Sequence, residues 1–188
     1  MTKNIMIVGV GGQGSLLASK LLGHLLLTEG YDVKVSEVHG MSQRGGSVVT
    51  YVRFGEKVYS PIIDKGQADF IVSFEKLEAA RYIEYLKEGG RIVVNTQEID
   101  PMPVITGAAE YPADVLDTLK AQGFDVDDFD ALAPALEAGS AKAVNIVLMG
   151  HFAKCTDIPK DKWIQALHKV INPKFLDMNL KAFDLGYQ

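Results

Sequence analysis

The sequence has one cysteine, Cys155, in 188 residues, and that scarcity excludes a good deal. No disulfide can close within the chain, and a cluster that needs four thiolates cannot be held by it. His24, His39, His151 and His168 lack both the i, i+4 spacing of a zinc-binding helix and a neighbouring cysteine pair. Any metal or redox centre must therefore come from another chain. Cys155 ends an apolar helical stretch and reads as a buried, inert thiol. No apolar run reaches the ~18 residues of a membrane span. Met1-Thr2-Lys3-Asn4 leads straight into a strand with no signal segment, so the expected location is cytoplasmic. A wide basic face is also missing. Net charge is −5, and Glu110 to Glu137 holds eight acids against one lysine, which excludes a general nucleic-acid binder and reads as a solvated face.

What is present is a globular composition, 47% apolar and 23% charged, in a chain of the right length for one domain. Lys3 to Val8 is a nearly continuous apolar run, as in a buried parallel strand. Leu17, Leu21 and Leu25 then form one helical row and Ala18, Leu22 and Leu26 the next, with Gly30 placed to end the helix. Tyr31 to Val38 is a second strand. Ser47 to Phe54 alternates, and Gly55-Glu56 followed by Lys57-Val58-Tyr59 predicts a β-hairpin. Ala68 to Phe74 and Arg91 to Asn95 are strands flanking a helix over Glu75 to Lys87, and Val104-Ile105 reads as a short edge strand. Beyond Pro112 the pattern is helical: 114–121, 130–137, 141–154, 161–170 and 173–185. The fold class is thus α/β: a Rossmann-like, mostly parallel sheet with an inserted β-hairpin and a helical C-terminal part. It forms one domain, 1–188, with a core over 1–112 and a mainly helical remainder over 113–188.

Chemistry concentrates in two loops. In Gly9-Val10-Gly11-Gly12-Gln13-Gly14, glycines allow a sharp turn, close approach of a ligand and tight helix–strand packing. The helix start behind them offers backbone N–H groups and a positive dipole end to an anion. A dinucleotide site also wants an acid at the end of the second strand, and Glu37 stands near that place. The run that follows, His39-Gly40-Met41-Ser42-Gln43-Arg44-Gly45-Gly46, departs from a plain crossover. Its glycines and short polar side chains can wrap a ligand while Arg44 offers a planar fork to a carboxylate or phosphate. The bland alternative is a structural turn with Arg44 paired to a nearby acid. The candidate cofactor-binding set is Gly9, Gly11, Gly12, Gln13, Gly14, Ser42, Gln43, Arg44, Gly45 and Gly46; no catalytic residue or metal ligand is assigned.

These two segments, with Glu37-Val38 before the second and Ser47 after it, resemble the gamma-type subunits of the 2-oxoacid:ferredoxin oxidoreductases. Within that family the likeness is to the arylpyruvate branch, the small beta subunits of indolepyruvate ferredoxin oxidoreductases. Asn95-Thr96, Pro101, Pro103, Tyr111-Pro112 and Ala143 to Gly150 extend the likeness over essentially the whole chain. The resemblance implies a subunit, inactive alone, of an anaerobic enzyme that turns a 2-oxoacid and coenzyme A into acyl-CoA and carbon dioxide while reducing ferredoxin. It places thiamine diphosphate and the iron–sulfur clusters on a larger partner subunit. The Gly-Asp-Gly motif and paired asparagines that hold thiamine diphosphate are not seen here. The two loops are then expected to assist coenzyme A binding.

Two other readings stay open. A stand-alone NAD-binding dehydrogenase would need a proton donor, and His39 and Tyr59 sit in no recognisable catalytic pair. A nucleotide-binding scaffold module would use the loops only for docking. The apolar helix over 141–154 should be buried or at an interface; an obligate subunit should expose an apolar patch, for which Ile146 to Phe152 is the candidate.

Overall fold

The structure is a computed structural model that describes residues 2–39 and 45–188. In it β1 (Lys3–Val10) is buried along all but its first residue. It runs through the glycine turn into α1 (Ser15–Thr28). β2 (Asp32–His39), β3 (Ser47–Gly55) and β4 (Ala68–Ser73) follow, then α2 (Lys76–Arg81), β5 (Leu86–Asn95), α3 (Met102–Ile105), α4 (Val115–Ala121) and β6 (Asp125–Phe129). The chain ends in α5 (Leu132–Ala138), α6 (Val144–Ala153), α7 (Lys160–Val170) and α8 (Leu176–Tyr187).

The described strands form a six-stranded sheet in the order β2-β3-β1-β4-β5-β6. β1, β4, β5 and β6 are parallel neighbours, and β3 runs antiparallel to both β1 and β2. Alternation along the strands builds two cores. Ile5, Ile7, Val52, Val72 and Val93 face α1 and α6, with Trp163 and Phe183 behind them. Met6, Val8, Val49, Ile71, Ile92 and Val94 face α2 and α4. Each large apolar side chain so buried contributes about 1.5–3 kcal/mol before ordering costs.

The Rossmann-like reading with an antiparallel insertion agrees with this sheet, yet several details differ. The hairpin partner of β3 is β2, not Lys57 to Tyr59. With β1 and β2 on its two sides, β3 has no free edge to offer. Residues 57–62 are held by side chains instead: Asp32 accepts the Val58 N–H at 2.9 Å, and Arg53 donates to the Ser60 and Ile62 carbonyls. The helix expected over 75–87 is shorter, Lys76–Arg81; a 3-10 turn over Ile83–Tyr85 follows, and Leu86, buried, is already paired in β5. Val104-Ile105 belongs to α3, where Ile105 donates to the Pro101 carbonyl; proline favours a helix start.

Within the acidic stretch, Asp125–Phe129 forms edge strand β6. Acids are poor strand formers, but five backbone pairings with β5 override that preference. Asp125 pairs with Arg91, Asp128 with Lys120 and Asp127 with His151, and the carboxylates discourage edge-to-edge association. Of the two outcomes open to Ile146 to Phe152, burial and an exposed patch, the structure shows burial: every residue of α6 lies within the chain's own core. Among the described residues no helix is long and apolar enough to cross a membrane.

Candidate functional site

At the carboxyl end of β1, Gly12 (φ 105°) and Gly14 (φ 88°) take the left-handed conformation, which costs other residues roughly 1–2 kcal/mol. Gly14 is the N-cap of α1 and lies against Asn145, whose Cγ would be 3.1 Å from an added Cβ. Asn145 in turn donates to the Gly14 carbonyl at 3.3 Å, so the start of α6 props the turn. Gly9 is closed in by Gln13 and Phe74. Gly11 is bonded twice to the second loop: its N–H donates to the Gly46 carbonyl at 2.8 Å and its carbonyl accepts the Gly45 N–H at 3.2 Å. The structure thus brings Gly9, Gly11, Gly12, Gln13 and Gly14 together with Gly45 and Gly46. Ser42, Gln43 and Arg44 lie outside the described residues.

Gln13 has a different place from the one expected of a ligand-facing residue. Its Oε1 accepts the Val10 N–H at 2.7 Å, and its Nε2 donates to the Phe74 carbonyl at 3.0 Å and to Gln97 at 3.1 Å. It stitches the ends of β1, β4 and β5 across the point where strand order reverses. Gln13→Ala is expected to lower stability by about 1–3 kcal/mol, since the Val10 N–H loses its acceptor; equilibrium urea unfolding measures this, and an unchanged midpoint would refute the stitch.

Beside the turn lies a groove of about 450 Å³ lined by Gly11, Gly12, Gly14, Ser15, Leu16, Glu37 and Val48. Among the described residues no side chain caps the start of α1, and no acid stands in its first turn. The Leu17 and Ala18 N–H groups donate to the Gly14 carbonyl, while Ser15 and Leu16, the first two helix residues, line the groove; a helix N-terminus of this kind suits an anion. Glu37 lines the same groove, but β3 lies between β2 and β1. That moves the acid one strand spacing, about 4.8 Å, beyond the position it holds where the second strand adjoins the first. This geometry disfavours the dinucleotide reading.

On the opposite face of the sheet lies a polar cluster that the reading of the sequence did not single out. Glu75 caps α2 by accepting the Glu78 N–H at 2.9 Å, and also accepts from the Tyr111 hydroxyl. Burial, then the bond to Glu75, pushes the Tyr111 phenol above its usual range. Glu78 accepts from the Ser47 hydroxyl and pairs with Arg81. Burial pushes its carboxyl up, against the pull of Ser47 and Arg81. In the sequence both glutamates look like first-turn helix acids; their i, i+3 spacing and that of Glu78 to Arg81 were the available hints.

A second cavity, about 470 Å³, opens at the other end of the sheet between Ile5, Leu26, Phe54, Phe70 and Cys155. It lies at the amino end of β1, away from the glycine turn. Cys155 there is half-buried, and burial raises its thiol above the usual range despite the adjacent Arg91, in line with an unreactive thiol.

Residues 4–188 match the family model described as pyruvate ferredoxin/flavodoxin oxidoreductase. The chain is 46% identical to indolepyruvate oxidoreductase subunit IorB of Thermococcus kodakarensis, over 97% of this chain and 93% of that one. Two solved structures show the fold. Pyruvate oxidoreductase subunit PORC of Thermotoga maritima superposes with a TM-score of 0.74 at 22% identity, covering 99% and 95% of the two chains. The 2-oxoglutarate:ferredoxin oxidoreductase of Magnetococcus marinus, with 2-oxoglutarate, coenzyme A and succinyl-CoA bound, gives 0.72 at 19% identity, over 98% of this chain and 30% of that one. With the match running from β1 to α8, the chain belongs to the pyruvate ferredoxin/flavodoxin oxidoreductase family.

Proposed function

We propose that this chain is the small subunit of an indolepyruvate-type 2-oxoacid:ferredoxin oxidoreductase and helps to bind coenzyme A beside a larger subunit. The near full-length similarity to an indolepyruvate oxidoreductase subunit carries this reading. In it the holoenzyme joins the acyl group of an aryl pyruvate to coenzyme A, releases carbon dioxide and passes electrons to ferredoxin. A cluster does not fit this chain, whose lone cysteine is half-buried with a raised thiol pKa. Thiamine diphosphate and the iron–sulfur clusters are assigned to the partner.

Coenzyme A does fit the groove. Its phosphates are anions suited to the N-terminus of α1, which Gly14 begins, and the bound coenzyme supplies the thiol that accepts the acyl group. Gly11, Gly12 and Gly14 would hold the anion by backbone, Gly9 and Gln13 would shape the turn, and Gly45 and Gly46 would brace it. Ser42, Gln43 and Arg44 complete the proposed contact set. The test is to combine the chain with its large subunit and follow indolepyruvate-dependent dye reduction with coenzyme A, alongside each chain alone. Activity is expected only in the mixture, and Arg44→Ala should raise the coenzyme A KM about tenfold without preventing assembly. No complex, with NAD binding to the lone chain, would overturn the proposal.

A further inference from the structure

The cluster on the far side of the sheet has no part in the coenzyme reading so far. Glu78 is 5% exposed, and a carboxylate that far from water persists only where both oxygens are well bonded. One takes Arg81 Nε at 3.0 Å and the other the Ser47 hydroxyl at 2.5 Å. The Tyr82 hydroxyl lies 3.2 Å from the Ser47 Oγ. Two side chains of the segment 78–82, Glu78 and Tyr82, thus meet at one serine, with Arg81 holding the other oxygen of Glu78.

That serine is placed where it matters for the groove. Ser47 opens β3 opposite Val10 of β1, directly after Gly45 and Gly46, whose backbone makes the two bonds to Gly11. Strand alternation sends Ser47 toward α2 and the next residue, Val48, into the groove wall. A connected path therefore runs from Glu78 through Ser47 and Gly46 to Gly11. Glu78 itself does not line the groove.

We infer that Glu78 is a positioning residue for the groove: by holding Ser47 from the opposite face of the sheet, it fixes Gly46 and Val48 against the glycine turn and thereby governs affinity for coenzyme A. This rests on the coenzyme reading proposed above. The bond needs a hydroxyl at 47 and an acceptor at 78, so the two residues act as one unit and their losses do not add.

The holoenzyme, this chain with its large subunit, is assayed with coenzyme A and the 2-oxoacid varied separately. Glu78→Ala and Ser47→Ala should each raise the coenzyme A KM about tenfold, with kcat and the 2-oxoacid KM within about twofold. Ser47→Thr, which keeps a hydroxyl in a strand, should restore the coenzyme A KM, and the double alanine variant should be no worse than the poorer single one. Should Glu78→Ala fail to assemble, Ser47→Ala decides alone. An assembled Ser47→Ala enzyme with an unchanged coenzyme A KM, or with kcat lowered and both KM values raised together, overturns the inference. Leu16→Glu, within the groove, is the reference: if it raises the coenzyme A KM while Ser47→Ala does not, only this inference falls. If neither does, the coenzyme reading falls with it.

Discussion

Gly186→Ala is expected to destabilise the protein more than any other single methyl added to it. An alanine Cβ at 186 would lie 2.8 Å from the Val147 carbonyl carbon and 3.1 Å from the His151 nitrogen, so α8 meets α6 backbone to backbone. The same contact recurs one turn on, where a Cβ at Gly150 would sit 3.1 Å from the Phe183 carbonyl carbon. The obstacles are main chain, which cannot rotate aside, so the helices must part. Parting them loosens the packing of Phe183 against Trp163 and of Trp163 against Phe152, three side chains with essentially no exposure.

Overpacking of this kind costs roughly 3 kcal/mol or more, which for a chain of this length lowers the melting temperature by about 6–12 °C. Gly23→Ala is the internal control. Its Cβ would meet only Val35, at an ordinary 3.6 Å, so alanine's helix preference should make it neutral or stabilising by about 0.5–1 kcal/mol. Calorimetry on the two variants gives opposite signs if the helix contact is as described. Equal melting temperatures would refute it.

Leu16→Glu should have the largest effect on coenzyme use with the least effect on folding. Leu16 is 49% exposed, so little burial is lost. It stands in the first turn of α1, which has no acid. A carboxylate there favours the helix dipole by about 0.3–1 kcal/mol, and the melting temperature should hold or rise. The same charge enters the groove wall. Repulsion between unit charges near a protein surface is about 1–4 kcal/mol at 4 Å, and coenzyme A carries several negative charges. A coenzyme A KM raised at least about tenfold is expected, shrinking as salt screens the pair. Leu16→Lys should reverse both signs, with a slightly less stable helix and tighter coenzyme binding. A Leu16→Glu complex that assembles normally and keeps its coenzyme A KM at low salt would count decisively against the groove as the site.

The strand–glycine turn–helix unit was legible because its signals are local. An unbroken apolar run, two leucine rows and glycines at 12 and 14 report strand, helix and left-handed turn without reference to any other segment. The two glycine loops were also legible as a pair, and the structure joins them at Gly11. The function assigned to Gln13 was less so: its spacing fits a ligand loop, and only the nearness of Phe74 and Gln97 reveals a stitch. Lys57 to Tyr59 carried a strand-like pattern but had no strand edge to join. Asp125 to Phe129 carried a poor pattern and had one.

The sequence by itself determined the α/β class, the family and the position of the glycine turn, since each is carried by short motifs whose residues lie close together in the chain. Tertiary structure alone decided that β3 lies between β1 and β2, that α6 is buried rather than exposed, and that Glu78 reaches Ser47 from the far side of the sheet. Those outcomes depend on which segments meet. Strand pairing joins residues far apart in the chain, and the burial of a carboxylate or the closeness of two helices is a property of the partner as much as of the residue.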